Sequence, residues 1–339
     1  VLPLTFAVVT DVHAGALALD ACLARVEEVR IARGLSELPV HCLGDVLDSG
    51  PDPLATLRRV RASCAVTLRG NHESYVFDFH ANPRNARYHD PLWKFIPWTH
   101  ARLPKGELEA FEKECVFSAS LAGGRVHLFH ASAESNGRNP AFVAPQDLAA
   151  DGASRVTGVP LVPPLPDCYL GECASLVFAG HNHYAGLHWD PMKGSGARGT
   201  LWVNSGSVGY PFVEKDPARP HDPVATFVVA EVAEGAHGSL SVSLEFQRVA
   251  YDGKALLQSY VESGALADCA PFSQAILCQS YFNEDVVYPF FRQARAQGWL
   301  QPSLPRELVR YLAESGYTER LRVAFDRAGL ARPMELAAN

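Results

Sequence analysis

Five short polar clusters in this 339-residue chain carry side chains that can hold cations and move protons. They are Asp11-Val12-His13, Gly44-Asp45 with Asp48, Gly70-Asn71-His72-Glu73, His130, and Gly180-His181-Asn182-His183. Each stands just beyond a run that reads as a strand. In α/β sheets the carboxyl ends of strands open on one rim, where ligands bind. Delivered to that rim, the clusters would gather three Asp, five His and one Asn around a small volume. Imidazole and carboxylate together suit borderline divalent ions such as Zn, Mn, Fe or Ni. A carboxylate shared by two such ions, ~3.5–4 Å apart, gives a site that clamps both the attacking and the leaving oxygen of an in-line displacement. A single D-x-H arises often by chance, and a lone strand-end histidine such as His130 is more often a satisfied rim residue. The signal is the conjunction, in order and each at a strand end.

The elements that must position these residues follow from periodicity. Residues 4–10 form a β-rich run, 16–33 a helix with Leu19, Leu23 and Val26 on its apolar stripe, 39–43 a second strand, 53–61 a short helix and 64–68 a third strand. That alternation implies parallel strands with crossover helices, hence an α/β core. Residues 74–115 differ: they are rich in aromatics (Tyr75, Phe77, Phe79, Tyr88, Trp93, Phe95, Trp98) and read as an insertion of short helices and loops. It could lid the rim and stack a base or aryl leaving group, or form a satellite apolar cluster under a long loop. Strands return at 116–121 and 125–129, a Pro/Gly-rich connection spans 140–166, and short strands follow at 176–179 and 201–203. Residues 225–232 and 239–248 read as a hairpin. Beyond Tyr251 the pattern is helical, with segments at 304–315 and 318–328. The composition change near 250 divides the chain into 1–250, carrying every polar cluster, and a helical extension, 251–339, that could dimerise or cover a sheet edge.

Composition bounds the answer. Hydrophobic residues are 47% and charged residues 20% of the chain, as in a globular protein with a sizeable core. A net charge of −7 provides no field for nucleic acid or anionic membrane. No apolar run approaches the ~18–20 residues that span a bilayer, and 4–10 runs straight into Asp11, so it reads as a core strand and not a signal peptide. Eight cysteines include no C-x-x-C pair; Cys42 and Cys64 read as small buried hydrophobes, and Cys168 with Cys173 is a weak spacing. A reducing, cytoplasmic setting is the expectation.

The order D-x-H, G-D-x-x-D, G-N-H-E, H, G-H-x-H resembles the signature of the calcineurin-like metallophosphoesterases, from Leu4 to about Pro211. The resemblance implies a four-layer α/β/β/α sandwich of two mixed sheets with a centre for two divalent ions, Mn, Fe, Zn, Ni or Mg. Carried onto this chain, Asp11, His13 and His183 would bind the first metal, Asp45 would bridge, and Asn71, His130 and His181 would complete the second. His72 would face the substrate as general acid, since imidazole exchanges a proton near neutral pH. Asp48 would orient it, as the matching Asp does in the protein-phosphatase branch, or would merely cap the helix ahead at Pro53.

Two features bear on the branch. Ser49 stands where protein phosphatases carry an Arg for phosphate, and a hydroxyl cannot replace a bidentate guanidinium. Gly50-Pro51-Asp52-Pro53 and Asn204-Ser205-Gly206-Ser207-Val208-Gly209 resemble loops of the bacterial phosphodiesterase-type branch. The implied activity is hydrolysis of small phosphomonoesters or phosphodiesters by in-line attack of a metal-bridging hydroxide. The alternatives are a phosphoprotein phosphatase, or a non-catalytic scaffold such as the retromer subunit of this fold resembles. Arg69 and Arg138 are the candidates for phosphate recognition, each with a structural alternative.

Overall fold

The alternating N-terminal pattern folds as read. In the computed structural model, β1 (Leu4–Val9), β2 (Val40–Cys42) and β3 (Cys64–Thr67) are parallel neighbours, linked by helices α1 (Ala16–Ala32) and α2 (Pro53–Ser63). The structure describes residues 3–132, 168–191, 199–211, 219, 221–300 and 303–331; the Pro/Gly-rich connection and Arg138 lie outside them. The hairpin is present, with β10 (Val224–Glu234) paired to β11 (Leu240–Ala250) and also antiparallel to β1. With β6 (Cys168–Cys173) on β11, the first sheet runs β3-β2-β1-β10-β11-β6. The second runs β4-β5-β7-β9-β8, from β4 (Ser118–Leu121), β5 (Val126–Phe129), β7 (Ser175–Ala179), β9 (Gly199–Ser205) and β8 (Ala185–Pro191). Both sheets are mixed, and β5, β7 and β9 are parallel.

The strands missing from the sequence reading, β6 and β8, each lie at a sheet edge. Edge strands need no continuous apolar alternation and tolerate the Gly and Pro that blurred both segments.

Alternation along β1 sets two cores on the two faces of the first sheet. Phe6 and Val8 meet Leu128, Phe178 and Val203 of the second sheet, forming the layer between sheets. Ala7 and Val9 face the helices, with Leu19, Leu57 and Phe227. That second core is continuous through the aromatic insertion, where α4 (Phe95–Ala101) and α5 (Lys105–Glu114) bury Phe95, Ile96, Trp98, Leu108 and Phe111. The insertion is thus part of a main core, not a satellite cluster.

The helical region joins the same core. It comprises α6 (Gly253–Glu262), α7 (Ala265–Asp268), α8 (Phe272–Phe282), α9 (Val287–Ala296), α10 (Leu304–Glu314) and α11 (Tyr317–Ala328), with Leu257, Tyr260, Phe290 and Phe325 buried. Polar ties fix its register on the sheet. Tyr260 Oη donates to the Ser49 carbonyl (3.3 Å), and Gln279 Oε1 accepts from Val286 and Val287 N–H (3.0 and 2.9 Å). Asn283, at φ +55°, accepts from Val224 N–H and donates to the Val224 carbonyl (both 2.9 Å) and the Pro211 carbonyl (3.3 Å). No helix among the described residues is long and apolar enough to cross a membrane.

Replacing the buried Asn283 by alanine should leave Val224 with two unmet backbone groups and cost about 2–4 kcal/mol. Urea unfolding of both proteins measures it; a loss under about 1 kcal/mol would show that this amide does not tie the helices to the sheet.

Candidate metal centre

Three parallel strands from each sheet deliver their carboxyl ends to one rim. Asp11 and His13 follow β1, Asp45 follows β2, Asn71 and His72 follow β3, His130 follows β5, and His181 and His183 follow β7. The chain turns sharply there. Asp11, His13, Asp45, Asp48, His181 and His183 all have left-handed φ, between +48° and +74°, a region costing of order 1–3 kcal/mol per non-glycine residue. Backbone hydrogen bonds between loops hold these turns: Asp11 N–H to the Gly44 carbonyl (3.0 Å), His13 N–H to Asp45 (2.8 Å) and Gly180 N–H to His130 (2.7 Å). The loops approach so closely that two motif glycines have no room for a side chain. A Cβ on Gly70 would stand 2.1 Å from Asp45 Oδ1, and one on Gly180 would stand 2.0 Å from Thr10 Oγ1 and 2.6 Å from Asp11 Oδ2.

The side chains gather in two adjoining groups. In the first, His183 Nε2 lies 3.3 Å from Asp11 Oδ1 and 3.1 Å from His13 Nε2. In the second, His130 Nε2 lies 3.2 Å from Asp45 Oδ2 and 3.1 Å from Asn71 Oδ1, and His181 Nδ1 lies 2.8 Å from the same Asn71 oxygen. Asp45 stands between them, with Oδ2 also 3.9 Å from His13 Nε2. Candidate ligand atoms of Asp11, His13 and His183 lie within 4.8 Å of one another, as do those of Asp45, His130 and His181. All seven residues named as ligands from the sequence are brought together, and neither ring of the G-H-x-H pair turns to bulk solvent.

His72 sits at the edge of this constellation. Its Nδ1 is 2.8 Å from Asp48 Oδ2, while Nε2 points inward, 3.9 Å from Asp45 Oδ2. The capping alternative for Asp48 does not hold, because Asp52 occupies the N-cap position of α2. Those distances also admit His72 into a third triple with His13 and Asp45.

Supporting contacts include residues to which the sequence reading gave no role. Glu73, fully buried, accepts four backbone N–H groups: Val46 and Leu47 on Oε1 (both 2.8 Å), and Asp45 and Gly70 on Oε2 (2.7 and 2.9 Å). It stands at the third position of α3 (Asn71–Ala81) behind its N-cap Gly70, so the G-x-x-E spacing was a capping signal. Asn204 donates to the Gly180 carbonyl (2.9 Å) and Asn182 Oδ1 (2.6 Å), and Ser207 Oγ donates to the Asp11 carbonyl (2.8 Å), so the 204–209 loop braces two of the clusters. Tyr210 stacks on His13, ring centroids 4.5 Å apart.

Electrostatics separate the histidines. Burial, then the positive charges of His72 and His183, press His13 well below its ordinary value, and burial with His130 nearby brings His181 down to about 4. Burial is the largest influence and opposes charge on His130 and His72, but the surrounding carboxylates together outweigh it and raise each to about 9: Asp45 foremost, with Asp48 and Glu73 at His72 and with Asp11 and Glu73 at His130. The protons on those two rings answer a negative field that a cation could answer instead.

The donor set fits divalent cations. His130 Nδ1 donates to the Leu43 carbonyl (2.9 Å), which leaves Nε2 for the site, the second contact that fixes a metal-binding imidazole. His13 and His183 point nitrogens at each other with two carboxylates close by and no lysine or arginine within ion-pair reach among the described residues. Arg69 lies elsewhere, bonded to Ser74 Oγ (3.1 Å) and over the Phe77 and Phe117 rings, the structural role.

A family model described as calcineurin-like phosphoesterase matches residues 4–185. A search of curated proteins finds no match. Among solved structures, a metallophosphoesterase from Sphaerobacter thermophilus is similar at 21% identity and a TM-score of 0.47, over 80% of this chain and 99% of that one. Vps29 from Chaetomium thermophilum follows at 12% and 0.27, covering 73% and 99%. The calcineurin-like phosphoesterase YfkN from Bacillus subtilis follows at 11% and 0.26, covering 80% and 99%. With its motifs gathered at one rim and the family model spanning more than half its length, the chain belongs to the calcineurin-like phosphoesterases.

Proposed function

We propose that the chain is a dinuclear-metal hydrolase of phosphomonoesters or phosphodiesters, and that Asp11, His13 and His183 hold one ion, Asn71, His130 and His181 the other, with Asp45 bridging. The observation that carries this is the convergence of seven donors from two sheets on adjoining points, with Asp45 between. When bound, the ions would supply hydroxide near neutral pH and neutralise charge on the phosphoryl oxygens. The mixed imidazole, carboxylate and amide donors suit Mn, Fe, Zn or Ni.

The chain's own residues supply the proton for the leaving group. His72 Nδ1 donates to Asp48, which fixes the ring so that Nε2 faces the centre. From there Nε2–H can pass its proton to the departing oxygen. A scaffold that had given up turnover would not need this second carboxylate–imidazole pair. The same Asp48–His72 pair matches the protein-phosphatase branch, so phosphopeptides belong in a substrate panel, although Ser49 supplies no cation for them.

Two outcomes are expected. Asp45→Asn should carry fewer than two ions through gel filtration, whereas His13→Ala should lose chiefly one; two tightly held ions in the Asp45 variant would remove the bridging role. His72→Asn should slow hydrolysis of alkyl phosphoesters by roughly 10²–10⁴ and of nitrophenyl esters much less, because nitrophenolate departs without a proton. Metal analysis accompanies the kcat comparison. Equal losses on both esters with metal intact would assign His72 to charge stabilisation, and loss of metal would make it a ligand.

A further inference from the structure

Resting on the leaving-group role given to His72, we propose that Arg87, with Tyr75 and Trp93 behind it, is an anion-binding subsite for a leaving group that carries a second phosphate. The three residues come from the aromatic insertion; Tyr75 touches His72, and Trp93 and Arg87 pack on Tyr75. Tyr75 lies one turn along α3, its ring edge-on to His72 with centroids 5.6 Å apart, and Trp93 meets Tyr75 edge-on at 5.0 Å. The Arg87 guanidinium lies 3.8 Å from the Trp93 centroid and 4.6 Å from that of Tyr75. The cluster thus lies one ring away from the side chain proposed to protonate the leaving group.

The stacking decides what the cluster can bind. Arg87 already covers a face of both rings, so the rim offers the in-plane N–H donors of a guanidinium where bare aromatic faces would have stacked a base. Those donors match the oxygens of a phosphate in pairs, and a guanidinium held on aromatic faces loses less freedom when it binds. Arg87 is exposed, and among the described residues no carboxylate pairs with it. The nearby Tyr88, in contrast, donates to Asp78 (2.8 Å). Arg69, away from the centre, is held by Ser74, Phe77 and Phe117. The centre itself, with Asp11, Asp45, Asp48 and Glu73, repels any phosphate that its cations do not neutralise. A second phosphate on the leaving group favours a further cation, and Arg87, packed on the Tyr75 ring that touches His72, is the cation that the insertion supplies there.

The test compares the metal-loaded protein with Arg87→Gln and Arg87→Lys. Substrates are adenosine 3′,5′-bisphosphate and ADP, whose leaving groups keep a phosphate, and phenyl phosphate, whose leaving group has none. In the glutamine variant the preference for the bisphosphate or ADP over phenyl phosphate, as a ratio of kcat/KM, should fall about 10–100-fold, mostly through KM, with lysine intermediate. A fall for ADP alone places the second phosphate beside the scissile bond, and a fall for the bisphosphate alone places it farther along; either supports the subsite. Calorimetry with AMP and adenosine gives a readout independent of turnover: Arg87→Gln should weaken AMP by a similar factor and leave adenosine unchanged. Unchanged ratios together with unchanged AMP affinity would overturn the proposal. If no phosphoester is hydrolysed by the unaltered protein, the catalytic reading fails, and the AMP titration still decides the subsite.

Discussion

Two buried carboxylates, Asp11 and Asp45, whose ion-pair partners among the described residues are all histidines, set the terms for everything around them. An uncompensated charge is very costly to bury, and two held close together more so. The surrounding chain is arranged to keep them there. His181 N–H donates to both oxygens of Asp11 (3.1 and 2.9 Å), Thr10 Oγ1 donates to the same group (2.7 Å), and His72 N–H donates to Asp45 Oδ1 (2.9 Å). The close approach explains the glycines at 70 and 180, and the left-handed turns explain why short polar residues, which tolerate that region best, stand at the corners. Glu73 collects four N–H groups from two loops, so that the bridging candidate and the start of α3 move together.

Much of this was legible in the sequence because the chemistry is local. Each cluster is a few residues long and sits at the end of a strand with a clear period, so order and spacing alone placed Asp11, His13, Asp45, Asn71, His130, His181 and His183 on one rim. Asp48 was ambiguous, since an acidic residue shortly before Pro53 also reads as a cap; the 2.8 Å contact with His72, together with Asp52 at the N-cap position, separates the roles. The contacts of Tyr210, and of Asn204 although it stood in a motif loop, were hidden for a different reason. Their partners, His13 and Gly180, come from distant segments, and nothing in the local pattern announces a stacking ring or a bracing amide. The edge strands β6 and β8 were missed because an edge relaxes the alternation that identifies a strand.

The insertion and the helical region show how a family core acquires individual surroundings. The rim on the second-sheet side is built from the G-H-x-H turn and the 204–209 loop, whereas beside His72 it is built from the aromatic insertion. On the proposed reading, chemistry at phosphorus and recognition of what departs belong to different stretches of chain. Ser49 fits that division, because a cation missing beside Asp48 need not be replaced at the same position.

The shared apolar layer has a consequence for where this chain can be divided. The family model ends at residue 185 and every polar cluster precedes residue 211, yet Ala7, Val9 and Phe227 are covered in common with Leu257, Phe290 and Phe325. A chimaera that borrowed only the part carrying the polar clusters would present the apolar side of β1 and β10 to water. It would have to carry the helices along or redesign that face with polar residues. For recombination, the smallest transferable piece is larger than the piece that carries the candidate ligands.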